Sequence, residues 1–342
     1  MRLSDFDYSL PPEFIAQHPL DRRDRCRLMV VDRRSHSIEH RHFHEIGSYL
    51  NPGDTLVLND SRVIPARLNG TIEGSGRRAE VLLLKRLEDG NWEALARPGR
   101  RLMPGSKVNV PGVKPGVEGD LTVTILKIGE GGLRTVSLGG VSAPDGYGKM
   151  PLPPYIHAGL EDDDDYQTVY SRYEGSAAAP TAGLHFTPEL LDGLRRREIN
   201  TAFVTLHVGL DTFQPVRAED PSRHHIHTEY GVVSRTTADV INDTRSRGKR
   251  MIAVGTTSVR LIEAASQEGR AAPLEGQVGL FILPGYRFQV TDAMVTNFHL
   301  PKSTLLMMVS AFAGREFILH CYEDAKKEGY RFYSFGDAML IL

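Results

Sequence analysis

Glycine is spread unevenly along the chain, and this restricts the fold more than any other feature. Of 33 glycines, 15 fall between residues 66 and 146, in clusters reading "NG" at Asn69, "GSG" at Gly74, "EDGN" at Glu88, "GEGG" at Gly129 and "LGG" at Leu138. Glycine takes the positive φ of tight turns without steric cost, so each cluster reads as a chain reversal. Between the clusters lie short runs of β-forming residues, such as "AEVLLLKRL" and "LTVTILKI", with no helical period. Short strands separated by turn signals predict a small antiparallel β-barrel over residues 66–149.

The flanks read differently. "NPGDTLVLNDSRVIPARL" closes residues 1–65 with a buried strand, Thr55–Leu58, and a polar loop. After Met150, strand and helix signals alternate. "TPELLDGLRRREI" offers Thr187 as N-cap, Pro188 at the first helical position, and Leu190, Leu191 and Leu194 as an apolar face. "TAFVTLHV" reads as a strand, "TTADVINDTRSRGKR" as a helix, "RMIAV" as a strand and "VRLIEAASQEG" as a helix. The alternation predicts a mixed-sheet α/β domain, built from residues 1–65 and 150–342 and interrupted by the inserted barrel. A length of 342 residues also favours two domains.

Bulk composition excludes several classes. With 41 Lys plus Arg against 43 Asp plus Glu, the chain has no overall basic footprint, so a nucleic acid would need a local patch. The only cysteines, Cys26 and Cys321, are far apart, against a disulfide scaffold, a zinc ribbon or a cysteine-ligated cluster. A reducing, cytoplasmic setting fits. The N-terminal "MRLSDFDYSLPPEF" lacks the apolar core of a secretory leader. The apolar run "STLLMMVSAFAG" is well short of the ~20 residues of a membrane span.

Several stretches carry chemistry-bearing side chains. "AVGTTSVR" sets a glycine turn and three hydroxyls at a helix start, where free N–H groups suit a carboxylate, a phosphate or ribose hydroxyls. Ordinary capping by Thr257 or Ser258 explains the same residues. "VTLHVGLDTFQPV" puts His207 and Gly209 at a strand end, and "RHHIHTEY" places His225, His227 and Glu229 on one face if extended. That face could ligate zinc, perform acid–base work, or be a solvated strand edge. His40, His42 and His44 alternate in the same way on what reads as an exposed strand. "RPGRRLMPGSK" gathers Arg97, Arg100, Arg101 and Lys107 without an acid, inside the barrel segment; it is either an RNA footprint or a soluble loop. "AAPTAGLHFT" carries His185 beside Thr181 and Gly183, and "VTNFHLPKSTLL" carries Asn297, His299 and Lys302. Four histidine-bearing loops in one α/β domain suggest a common polar pocket at one sheet edge.

Together "IAQHPLDRRDRCRLMVVD", "LNDSRVIPARLNG", "GKMPLPPYI", "YQTVYS", "AAPTAGLHFT", "VTLHVG", "TFQPV", "AVGTTSVR", "NFHLPKSTL" and "YRFYSFGDAML" resemble the S-adenosylmethionine:tRNA ribosyltransferase-isomerases of queuosine biosynthesis, from about Leu3 to Leu342. The resemblance implies an α/β domain interrupted by a β-barrel. It implies transfer and isomerisation of the ribosyl moiety of S-adenosylmethionine onto the aminomethyl-deazaguanine wobble base of tRNA. The products would be epoxyqueuosine-tRNA, adenine and methionine. S-adenosylmethionine would be a co-substrate, with no metal, no resident cofactor, no membrane and no obligate protein partner, and a monomer is expected.

In this frame the sulfonium acidifies the neighbouring ribose carbon, so a base is needed there, assigned to Glu229 or His227. His185 and His299 would lie near the adenine or ribose. Asn59, Asp60, Arg62, Thr181, Gly183, His207, Gly209, Thr256, Thr257, Arg260, Asn297 and Lys302 would bind substrate. Arg97, Arg100, Arg101 and Lys107 would hold tRNA. The chain departs from the family pattern at Asp211, where glycine is usual, at Ile226, where methionine is usual, and at Ser61, which replaces a threonine. Only Asp211 alters local charge and turn geometry, beside His207. A methyltransferase would show a glycine-rich loop after its first strand and an acid for the ribose. A radical enzyme would show clustered cysteines. A non-catalytic RNA-binding module would not need the polar pocket of the α/β domain.

Overall fold

The computed structural model describes residues 1–129, 132–141, 143–209, 216, 218–224, 226 and 228–342. Before the glycine-rich segment come β1 (Arg27–Asp32), β2 (Ser37–His42) and β3 (Thr55–Asn59). Then follow β4 (Ser61–Val63), β5 (Arg67–Ile72), β6 (Arg78–Arg86), β7 (Trp92–Arg97), β8 (Lys107–Pro111), β9 (Asp120–Ile128), β10 (Arg134–Ser137) and β11 (Tyr173–Ser176). The next stretch holds α1 (Pro188–Arg196), β12 (Asn200–Leu206), β13 (Glu229–Val233), α2 (Arg235–Ser246), β14 (Met251–Val254) and α3 (Thr256–Ala264). The chain ends with β15 (Ser266–Gln267), β16 (Arg270–Ala271), β17 (Leu274–Val278), β18 (Ala293–Asn297), α4 (Thr304–Ala313), α5 (Arg315–Lys327) and β19 (Ala338–Ile341).

The chain divides into two compact units. The larger comprises Met1–Ser61, Pro154–Tyr173 and Pro180–Leu342; the smaller comprises Arg62–Pro153 and Glu174–Ala179. The last of these segments is one that the glycine distribution alone does not mark.

Among the described residues, the larger unit contains a nine-stranded mixed sheet in the order β17-β13-β12-β3-β14-β18-β19-β1-β2. Strands β12, β3, β14 and β18 run parallel, side by side. The pairing turns antiparallel at β18–β19 and at both edges. Every residue of β3, β14 and β18 is buried, because both faces of the sheet are covered; hence the apolar stretches at 56–58, 251–254 and 293–295. Side chains alternate between two cores. Val57 and Ala253 join Ile241, Val259 and Leu261 of the helices on one face. Leu56, Leu58, Ile252 and Val254 join Phe43, Phe186, Leu191 and Leu194 on the other.

Helix starts and stops follow local chemistry. Thr187 Oγ1 accepts the Leu190 N–H at 3.2 Å and opens α1, with Leu191 and Leu194 turned inward. Ser234 caps α2 by accepting the Thr237 N–H at 3.1 Å. Gly314, at φ 90°, ends α4 and lets α5 leave at a bend of 111°. Among the described residues no single helix is long and apolar enough to cross a membrane.

The smaller unit is a closed antiparallel barrel in the order β10-β7-β6-β5-β8-β9. Its interior is filled by Leu68, Val81, Leu83, Ala94, Val108, Val110, Val123, Ile125 and Val136, all fully buried. Two glycines are required by close approach rather than by turns. A Cβ at Gly70 would stand 2.3 Å from the Asn109 carbonyl oxygen, and one at Gly148 would stand 1.6 Å from that of Pro65. Gly148→Ala must therefore displace backbone. Its expected cost is about 1–3 kcal/mol, the range of overpacked cores, whereas Gly159, with nothing within 4 Å of its Cβ position, accepts alanine neutrally. Urea unfolding of both variants checks this; equal midpoints would contradict the packing argument.

Candidate active site

The four parallel strands end on one edge, at Leu206 of β12, Asn59 of β3, Val254 of β14 and Asn297 of β18. Central β3 has β12 on one side and β14 on the other, so the chain's progress across the sheet reverses there. Ligands of open α/β sheets bind beyond the carboxyl ends of the strands at such a reversal.

The first polar group lies where β3, β12, β13 and α3 meet. The Asn59 carboxamide donates to the Leu206 carbonyl at 3.0 Å and accepts the Leu206 N–H at 3.0 Å and the Ser61 N–H at 3.2 Å. It thus splices two strand ends and positions its neighbour Asp60. Asp60 Oδ1 accepts the Thr205 hydroxyl at 2.7 Å. Burial pushes the Asp60 carboxyl above the usual carboxylate range, against the smaller opposing effects of that hydrogen bond and of Arg172.

Glu229 opens β13 and is held through both oxygens. Oε1 accepts the Gly209 N–H at 2.8 Å, and Oε2 accepts Arg260 Nη1 at 2.6 Å. Arg260 also donates from Nε to the Leu280 carbonyl at 3.2 Å. His207 stacks on Tyr230, with ring centroids 6.2 Å apart; burial lowers its pKa, and among the described residues its Nδ1 has no hydrogen-bond partner. Thr256 and Thr257 are buried at the start of α3, where no side chain caps the helix.

The second group surrounds the end of β18. Asn297 Nδ2 donates to His185 Nε2 at 3.0 Å and to the Asp337 carbonyl at 3.4 Å, while Asn297 Oδ1 accepts the Thr181 hydroxyl at 3.0 Å. With Nε2 an acceptor, the His185 proton sits on Nδ1, 3.2 Å from Cys26 Sγ. Burial pushes the Cys26 thiol up. It pushes His185 down to about 3, helped by Arg331 and Arg23. His185 and Cys26 line a small cleft with Arg23, Arg331 and Phe335, about 20 Å³, the room of a water molecule. His299 Nε2 shares a hydrogen bond with the Thr296 hydroxyl at 2.7 Å, the His299 backbone N–H donates to Tyr322 Oη at 2.9 Å, and burial pushes the imidazole down to about 3 as well. The turn Thr181–His185 lies against the start of α3, for a Cβ at Gly255 would stand 3.8 Å from that of Ala182.

The other expected site residues are placed as follows. Gly183 makes room for protein: a Cβ there would stand 2.0 Å from Tyr170 Oη and 3.0 Å from Thr168 Cγ2. Lys302 turns to Asp7 at 2.7 Å, a partner from the opposite end of the chain. Asn59 is occupied by backbone groups. Arg62 stands on β4, in the smaller unit. Lys107, read as free of acids, lies 3.8 Å from Glu73. His40 engages Asp324 and Tyr330, and His44 lies past the end of β2. Among the described residues no three His, Cys, Asp or Glu side chains gather as metal ligands. His225, His227 and Asp211 lie outside the described residues.

Arg97, Arg100 and Arg101 are exposed on the barrel. Arg100 and Arg101 belong to a turn, Gly99–Arg101, that is anchored by buried Arg134, which donates to the carbonyls of Leu102 at 3.1 Å and Gly99 at 2.9 Å. Single-residue reasoning missed Arg134, Cys26, Tyr170 and Asp337. Three of them (Arg134 excepted) sit inside or beside quoted motif strings, yet none shows its role without its distant partner.

A mixed α/β sheet with polar side chains converging on one edge, interrupted by a barrel, defines a two-unit enzyme. The queuosine biosynthesis protein family profile matches residues 3–341, and the chain belongs to that family. It is an enzyme of the combined transferase and isomerase type. The S-adenosylmethionine:tRNA ribosyltransferase-isomerase of Symbiobacterium thermophilum is 54% identical over 349 aligned positions, covering 100% of each chain. The crystal structure of S-adenosylmethionine tRNA ribosyltransferase from Thermotoga maritima, 41% identical, superposes with a TM-score of 0.58 over 99% of this chain and 100% of that one.

The buried histidines make stability depend on pH. In the unfolded chain each binds a proton near 6.5, but His185 and His299 stay neutral in the fold down to about 3. Their contribution is complete above pH 6.5 and is lost as pH falls toward 3, each by about 1.4 kcal/mol per pH unit. Between pH 7 and 5 the unfolding free energy of His185→Gln should therefore fall by about 2 kcal/mol less than that of the wild type. Identical losses in the two proteins would contradict the neutral, buried state of His185.

Proposed function

We propose that the enzyme transfers and isomerises the ribosyl moiety of S-adenosylmethionine onto the aminomethyl-deazaguanine wobble base of tRNA. The products are epoxyqueuosine-tRNA, adenine and methionine. Full-length identity of 54% to a protein named as a ribosyltransferase-isomerase carries the reading. S-adenosylmethionine is consumed as a co-substrate, and the reading includes no metal, no resident cofactor, no membrane and no obligate protein partner. The enzyme would act as a cytoplasmic monomer.

The site supports this chemistry at particular atoms. A base must take a proton from the ribose carbon beside the sulfonium. Glu229 would have to release Gly209 or Arg260 to do so, since both its oxygens are held. Asp60 suits the role better: it stands at the end of the central strand, and burial lifts its carboxyl toward the working pH. The departing adenine needs a proton, and His185 and His299 are neutral near pH 7, so neither supplies it as an imidazolium. Their role is to hold Asn297 and the strand end in place.

Exposed Arg97, Arg100 and Arg101 supply the phosphate-binding surface for tRNA, with Lys107 a weaker contributor beside Glu73. The reaction is tested by incubating the enzyme with S-adenosylmethionine and tRNA carrying the aminomethyl base. Free adenine and methionine should appear only when all components are present; S-adenosylhomocysteine with methylated RNA would overturn the assignment. The surface is tested by reversing Arg100 and Arg101 to Glu. Affinity for tRNA should drop and the slope of log K against log salt should flatten by about two. Unchanged affinity and slope would move the footprint elsewhere.

A further inference from the structure

Helix α3, nine residues long, starts without a side-chain cap, from Gly255 at φ 85°. The bond from Val259 N–H to Gly255 O, at 3.2 Å, closes its first turn. The N–H groups of Thr256, Thr257 and Ser258 precede that bond and have no acceptor inside the helix. Two buried side chains of the same helix are also unsatisfied. Among the described residues, Thr257, 7% exposed, has no partner for Oγ1, and Arg260, 4% exposed, has none for Nη2. Three residues apart, they share one helix face, and helical side chains incline toward the amino end. The guanidinium accordingly reaches Glu229, whose other oxygen holds Gly209, just beyond the end of β12. Buried donors without acceptors are unfavourable unless something else supplies the acceptor.

Every unsatisfied group in this cluster can donate, which specifies an acceptor-rich, anionic ligand. Its size is limited by charge. Glu229 already neutralises Arg260, and the remaining attraction comes from the helix dipole, equivalent to roughly half a charge. That suits a single carboxylate and is too little for a di- or triphosphate. We propose that the amino end of α3, with Thr257 and Arg260, binds the carboxylate of the methionyl end of S-adenosylmethionine. This rests on the ribosyl-donor reading above. It also orients the donor. Strand β3, which ends at Asn59 just before Asp60, neighbours β14, from which α3 departs. Neighbouring strands are ~4.8 Å apart, comparable to the three-carbon reach from the carboxylate to the sulfonium, so the activated ribose carbon falls toward Asp60.

Calorimetric titration of the full-length enzyme, with and without tRNA, tests the assignment using S-adenosylmethionine and its decarboxylated analogue. The analogue keeps the sulfonium, amine and nucleoside. Thr257→Val preserves shape, and the lost hydroxyl has no partner among the described residues, so the variant should remain folded. Wild type should bind S-adenosylmethionine at least about 10-fold more tightly than the analogue, as hydrogen bonds to a charged group imply. Thr257→Val should weaken only the carboxylate-bearing ligand, by about 10-fold. Equal wild-type affinities, or an equal loss for both ligands in the variant, would overturn this subsite while leaving the donor reading intact. Failure of the wild type to bind S-adenosylmethionine under either condition would overturn both.

Discussion

The site depends on how β3 and β12 are joined where their ladder stops. Parallel strands lose their mutual hydrogen bonds at the carboxyl end, and exposed backbone groups there would fray. Asn59, fully buried, replaces the ladder with its carboxamide, donating to and accepting from Leu206 and accepting from Ser61. A side chain that satisfies three backbone groups in a low-dielectric interior is costly to remove, because each is then left unpaired. Its consequence is positional. Asp60, the next residue, has its N–H donated to the Val204 carbonyl at 2.9 Å and its carboxyl to receive the Thr205 hydroxyl.

A second constraint comes from the Glu229–Arg260 pair, almost completely shielded from solvent. Such a pair contributes little net stability after desolvation, yet losing one partner leaves a buried charge and is strongly destabilising. Its effect here is geometric: it ties α3, β13 and Gly209 into one frame, and among the described residues it leaves one guanidinium nitrogen unsatisfied at the sheet edge. His185 and His299 do comparable work around β18 as neutral imidazoles.

Much of the architecture was legible in the chain. The glycine clusters mark the barrel because positive φ is written into residue type, and β3 and β14 read as apolar runs because both sheet faces are covered. The edge of the sheet was legible as a set of loops, and the family resemblance rested on their joint order. Individual roles were not legible, because they depend on partners remote in sequence. Nothing local in "LND" shows that Asn59 reaches Leu206, and nothing in "HTEY" shows that Glu229 faces Arg260. Nothing local in "PTAGLH" shows Tyr170 against Gly183, and nothing in "LPKST" shows Asp7 beside Lys302.

Asp60, just past the end of the central strand, is the proposed proton acceptor. Asp60→Asn keeps the Thr205 contact and the side-chain shape while removing the carboxylate. Single-turnover kinetics of adenine release, with S-adenosylmethionine binding measured in parallel, is the direct test. The expected result is a rate lowered by about 10²- to 10⁴-fold with donor affinity retained. A variant that releases adenine at nearly the wild-type rate would contradict the account.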